Sequence, residues 1–222
     1  MIAYSLLPPG QNKVKLNSLI TAAIVTTLLV GCGSSDDDSD ASDGVTDTDA
    51  TGTDGTDTLL DCGTAEASNL AESDNGDLSD DIAAPTPFEV GPGVSTLTAS
   101  TAAGDLDYAT FTVGPCDILS QVTVESYTSD AGDAIAFISL ASGTTFPVPF
   151  EGANTDVSGL LGFSHFGSAD IGQDILPRVG EGDGTLGFTT PLPAGDYTVW
   201  LNQTGAESEA TLSLQVDRVL VP

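Results

Sequence analysis

The chain has 222 residues and a formal charge of −29, from 33 acidic side chains against 4 basic ones. That balance excludes nucleic acid and anionic membrane faces as partners, because both are held by basic patches. It favours solubility, cation condensation and self-repulsion, and it would suit a salty medium.

Residues 1–31 read as an export signal. Lys13 and Lys15 precede an apolar run from Leu16 to Val30, and small residues close it. At about 15 residues the run falls short of the roughly 20 that span a bilayer. Cleavage is therefore the expectation, with a marginal membrane anchor as the alternative. The run ends in Leu29-Val30-Gly31-Cys32, which resembles the lipobox of bacterial lipoproteins. The resemblance implies that the Cys32 thiol takes diacylglycerol, that the signal is cut before it, and that the new amine is acylated with a chain such as palmitate. Several acyl chains, at about 0.8 kcal/mol per buried methylene, make such an attachment lasting. Gly33 stands where lipoproteins kept at the inner membrane carry Asp, so the same resemblance implies the outer membrane, with the leaflet left open. A chain starting at Cys32 keeps two of the four basic residues and all 33 acidic ones, for a formal charge of −31.

With Cys32 given to lipid, Cys62 and Cys116 remain. An exported chain meets an oxidising compartment, so one disulfide is expected, with a pair of buried thiols as the alternative. A zinc site is disfavoured by the single histidine and the lack of a Cys-x-x-Cys spacing.

Residues 32–61 are dominated by Gly, Ser, Thr, Ala and Asp, with little apolar content before Leu59. Such a segment buries too little surface to offset backbone ordering and reads as a disordered acidic tether. The 29 residues between Cys32 and Cys62 would span roughly 27–32 Å as a flexible coil, and more under charge repulsion. Asp47, Asp49 and Gly52 imitate the first, third and sixth positions of a calcium loop. The closing position, however, is Thr58 rather than a bidentate Glu, so a solvated tether is preferred.

From about residue 75 to 216 the pattern is all-β. Strands are expected at Val94–Thr101, Leu106–Val113, Ile118–Tyr127, Ala134–Leu140, Asp196–Gln203 and Thr211–Val216. In the third, Val122 and Val124 face one way and Thr123 with Glu125 the other; the fourth is apolar on both faces, as a central strand should be. In the last two, Tyr197, Val199 and Leu201, then Leu212, Leu214 and Val216, point inward. Gly- and Asp-rich turns separate the strands, so a β-sandwich is predicted. The stretch 144–190 breaks the rhythm; its apolar residues, among them Leu160, Phe163, Phe166 and Ile175, predict a connection that packs down.

Two blocks, Gly104–Val113 and Leu192–Val216, together resemble the bacterial pre-peptidase C-terminal (PPC) domain. The residues that carry the resemblance are Asp105, Asp107 and Tyr108, then Gly195 and Tyr197. It covers roughly residues 75–216 and implies a jelly-roll-like β-sandwich with a binding, targeting or maturation role. No peptidase precedes the domain, so an accessory role to a protease does not carry over. The organisation read from the chain is a signal at 1–31, a tether at 32–61 and a β-sandwich at 62–222.

No catalytic motif survives scrutiny. Ser164 and His165 are adjacent and lie outside a Gly-x-Ser-x-Gly elbow. Two-carboxylate glycan hydrolysis is compatible with the composition. Yet the acids cluster in turns, at Asp105 with Asp107, Asp130 with Asp133, Asp170 with Asp174 and Glu181 with Asp183, where carboxylates tighten backbone. The sharper metal expectation is a structural Ca²⁺ at Asp105 and Asp107, since some relatives of the resembled fold bind calcium. For ligand binding, Trp200 shares the outward face of its strand with Thr198 and Asn202, and Tyr127 that of Thr123 and Glu125. Exposed aromatics in polar company suit stacking on sugar rings; the alternative is that the 144–190 stretch covers Trp200. The reading is a lipid-anchored, non-enzymatic envelope module for binding, adhesion or scaffolding. Its expected partners are the membrane through its lipid, and a glycan or another envelope protein.

Overall fold

The computed structural model describes residues 62–132, 134–202 and 205–219. The expected export signal, Cys32 and the expected tether lie outside them. Nine strands and two single-turn helices follow in order: β1 (Asn69–Ala71), α1 (Glu72–Asn75), β2 (Thr86–Pro87), β3 (Gly93–Thr101), β4 (Leu106–Val113), β5 (Asp117–Ser129), β6 (Ala136–Ser142), β7 (Gly162–Phe166), α2 (Leu176–Gly180), β8 (Gly195–Asn202) and β9 (Ser208–Arg218). All six strands expected from alternation are present.

They form two sheets, ordered β1-β3-β9-β5 and β2-β4-β8-β6-β7. The chain alternates between the sheets from β3 to β6 and returns from β8 to β9. Residues 171–174 bridge to β5 through Val124↔Ile171 and Thr123↔Asp174. They stand where an eighth strand would complete two facing four-stranded layers, β3-β9-β5 with this segment against β4-β8-β6-β7, which is jelly-roll order. The expected all-β sandwich is therefore the observed architecture.

Alternation sets the core. Tyr197, Val199 and Leu201 of β8 and Leu212, Leu214 and Val216 of β9 are buried in one cluster with Ile138, Leu140, Phe111 and Val122. Each such side chain contributes about 1.5–3 kcal/mol on full burial. Cys62 and Cys116 form the expected disulfide, which ties the start of the described chain to the β4–β5 turn.

Strand β5 departs from simple period two. Its pairing with β9 shifts register between Leu119 and Gln121 and again between Val124 and Ser126. Each bulge leaves one residue unpaired and reverses the phase that follows. Tyr127 is therefore turned inward, away from the face of Thr123 and Glu125. It is 4% exposed and stands edge-on to Phe166 at 5.7 Å. The expectation that Tyr127 offers a surface aromatic is corrected.

The long connection between β6 and β8 contains β7 and packs down as anticipated, apart from Ile171 and Leu186, which are exposed. Its first part folds over the outer face of the second sheet. There Phe146 and Leu160 join Tyr108, Ala141 and Trp200 in a second buried cluster. Its later part brings α2 against β7. A Cβ at Gly162 would overlap the carbonyl of Val179, so only glycine permits this approach of backbone to backbone.

Candidate metal centre

Asp107 lies directly opposite Leu201 in the β4–β8 ladder, an inward position. It is 1% exposed, and neither carboxylate oxygen meets an N–H or O–H donor. A buried carboxylate in that state must take a proton or a cation, since leaving it charged and unpaired costs several kcal/mol or more. Burial foremost, then the charges of Glu72, Asp105 and Asp77, push the pKa of Asp107 up to about 9.

Local structure delivers Glu72 and Asp77 to the same place. Strand β1 runs parallel to β3, with Ala71 opposite Thr98, and the single turn of α1 follows. The turn closes at Gly76, whose φ of 86° favours glycine and whose N–H donates to the Glu72 carbonyl at 2.9 Å. The chain thereby doubles back, and Asp77 returns beside Glu72. The Glu72 carboxylate is held by three donors. The N–H and hydroxyl of Ser100 reach Oε2 at 2.7 and 2.6 Å, and the N–H of Leu78 reaches Oε1 at 3.2 Å. Half-buried Glu72, exposed Asp77 and buried Asp107 bring one ligand oxygen each within 4.8 Å of one another. An ion about 2.4 Å from each oxygen would bridge separations of up to about 4.8 Å, which suits Ca²⁺.

Asp105 stands outside this trio but within its field. Burial, and the charges of Asp77, Asp80 and Glu72, raise its pKa, against a lowering backbone hydrogen bond at Ala102. Asp80 is engaged by the N–H of Leu106 at 2.8 Å. Of the expected calcium pair, then, Asp107 is inside the ligand group and Asp105 adjoins it. Glu72 and Asp77 had no separate signal beyond the acidic turn Glu72-Ser73-Asp74-Asn75-Gly76-Asp77.

No described side chain supplies the missing positive charge. Arg178 pairs with Asp170 at 2.8 Å and Arg218 with buried Asp117 at 3.1 Å, and no lysine falls among the described residues. Of the other turn acids, Asp170 and Asp174 fasten backbone as expected, and Asp133 lies outside the described residues. Asp170 accepts from the N–H of Gly167 at 2.9 Å, and Asp174 accepts from those of Val122 and Leu176, each at 3.0 Å.

The other sequence candidates lie elsewhere. Ser164 and His165 point to opposite faces of β7, the first buried and the second exposed. The Ser164 hydroxyl donates at 3.3 Å to the backbone carbonyl of His165, not to its ring. Trp200 does face outward from β8, but it is 2% exposed. Phe137, Phe146 and Phe150 stand edge-on around it at 4.8–5.5 Å, and Tyr108 stacks at 5.8 Å. The open sugar platform expected at Trp200 is thus corrected: the 144–190 connection roofs it.

A scan against protein-family models finds none that matches, and a search of curated proteins finds no match either.

Proposed function

We propose that this chain is a lipid-anchored protein of the cell envelope whose β-sandwich is a non-catalytic binding or scaffold module braced by one Ca²⁺ at Glu72, Asp77 and Asp107. The observation that carries the metal is Asp107: buried, without a donor, and facing two further carboxylates. Hard oxygen ligands select Ca²⁺ or Mg²⁺ over softer metals, and three carboxylates leave room for the six to eight oxygens that Ca²⁺ collects. The ion would join the β1–α1 segment to β4 and so fix the start of the domain.

The envelope assignment rests on the lipobox-like run ending at Cys32, with the outer membrane as destination from Gly33. The disulfide supports export to an oxidising compartment. A PPC-type relationship is supported by the placement of its two motif blocks, which occupy neighbouring strands with Phe111 opposite Tyr197 and Val113 opposite Gly195. A binding role is favoured over carboxylate hydrolysis because Asp107 lies beneath the surface, where an ion reaches and a glycan chain does not.

Thermal unfolding in calcium and in chelator tests the reading. At a hundredfold excess over Kd the ion should stabilise by about 2.7 kcal/mol, or roughly 5–10 °C for a domain of this size. Asp107→Ala should abolish the shift. An equal shift in that variant would place the ion elsewhere.

A further inference from the structure

We propose that the open side of the calcium site binds a neutral vicinal diol, as carried by a sugar ring, through the ion itself. The inference rests on the calcium reading of Glu72, Asp77 and Asp107 and deepens it by naming a ligand class. Glu72 and Asp77 also line a surface pocket of about 320 Å³, together with Ser73, Thr98, Ser100 and Glu209. That volume, at the low end of small-ligand sites, has room for a single ring.

The buried and exposed ligands divide the site. Asp107 is 1% exposed and its oxygens meet no donor, whereas Asp77 is exposed. One oxygen of each of the three carboxylates lies within 4.8 Å of the others. An ion among them is therefore held from the interior by Asp107 and faces the pocket on the side of Asp77. Three single oxygens fill only about half of the positions that Ca²⁺ collects. The rest are open to water or to a ligand that enters by the pocket, while Asp107 itself stays beneath the surface.

Coordination and charge select the occupant. Only an oxygen ligand completes such a shell, which sets amines and other organic cations aside. The two charges of the ion leave its three carboxylates one net negative charge, and exposed Glu209 adds another. No lysine or arginine lines the pocket, so carboxylates and phosphates are repelled. Apolar ligands find no wall, since the largest apolar side chain in the lining is that of Ala99. A neutral oxygen ligand remains. Two adjacent hydroxyls offer two oxygens in one chelating bite, and their protons can be donated to the carboxylates beside the ion.

The walls are fixed in advance. The Ser100 hydroxyl is engaged by Glu72 at 2.6 Å, and that of Thr98 by the Thr211 hydroxyl at 3.0 Å. Glu209 stands directly opposite Ser100 in the β3–β9 ladder and adds a carboxylate acceptor to the lining.

Saturation-transfer NMR and calorimetry on the purified protein, in calcium and in chelator, test the proposal. The probes are methyl α-mannopyranoside and its 3-deoxy analogue, which has no vicinal diol. The mannoside should bind saturably in calcium and not in chelator, with the 3-deoxy analogue about tenfold weaker. Glu209→Gln should weaken the mannoside several-fold while leaving the calcium-dependent thermal shift intact. Equal binding in chelator overturns the proposal, as does equal affinity for the 3-deoxy analogue. Absence of a saturable mannoside signal by both methods overturns it too. If the mannoside fails while the calcium shift persists, only the diol site falls; loss of the calcium shift in wild type strikes the metal reading and the diol site together.

Discussion

Asp107 occupies the position across from Leu201 in the β4–β8 ladder, so a carboxylate shares the interior face of the sandwich with a core leucine. An inward charge at a strand position breaks the rule that otherwise builds this molecule, and such exceptions concentrate at functional sites. Here the exception sits where α1 brings Glu72 and Asp77 over the end of the sheet.

The pH dependence of stability should reveal Asp107 in calcium-free protein. The folded state holds its proton up to about pH 9, whereas the unfolded chain releases it near the ordinary aspartate value of 3.8. Between those limits the folded state binds the extra proton, so stability falls as pH rises, by up to about 1.4 kcal/mol per pH unit. Asp107→Asn should flatten this slope. Denaturant unfolding at pH 5 to 8 in chelator measures it; identical slopes in both proteins would count against the assignment.

The Cys62–Cys116 bond should be a major stabilising element. It closes a loop with a sequence separation of 54, for which the chain-entropy account gives about 4 kcal/mol. The double replacement of both cysteines by serine should lower unfolding free energy by that order. A loss smaller than about 1 kcal/mol would show that the bond constrains little.

Two glycines of the long connection should behave oppositely. In Gly162→Ala the new methyl meets the Val179 carbonyl, forcing α2 off β7 at a cost of about 1–3 kcal/mol or more. At Gly159 the nearest atoms lie 3.9 Å away, so Gly159→Ala should stay within about 0.5 kcal/mol of wild type. Equal unfolding midpoints for the two variants would contradict the packing of α2 described above.

Lipidation is tested by metabolic labelling. Wild type should incorporate labelled palmitate and fractionate with the outer membrane, and Cys32→Ser should do neither. Label that persists in the variant sinks the anchor at Cys32.

Much of the architecture was legible because each long strand turns one face to the interior. Tyr197, Val199 and Leu201, for example, could be assigned from period two alone. Tyr127 could not, since the bulge between Val124 and Ser126 inverts the phase before it, and nothing in the local sequence marks it. Strand β7 was hidden for a different reason: of its inward residues Gly162, Ser164 and Phe166, only the last is large and apolar, so the buried face lacks a hydrophobic alternation. Trp200 shows the limit of periodicity. Alternation says which face a residue occupies, while the residues that cover that face, Phe146 and Phe150 among them, come from a distant connection. The metal trio was half legible. Asp107 stood out beside Asp105, whereas Glu72 and Asp77 reach it only through the parallel pairing of β1 with β3.

The most direct test is a calorimetric calcium titration of wild type beside Asp107→Asn and Glu72→Gln. The account predicts one ion per chain in wild type, and loss of that site in both variants. Binding of one ion with unchanged affinity in Asp107→Asn would contradict it.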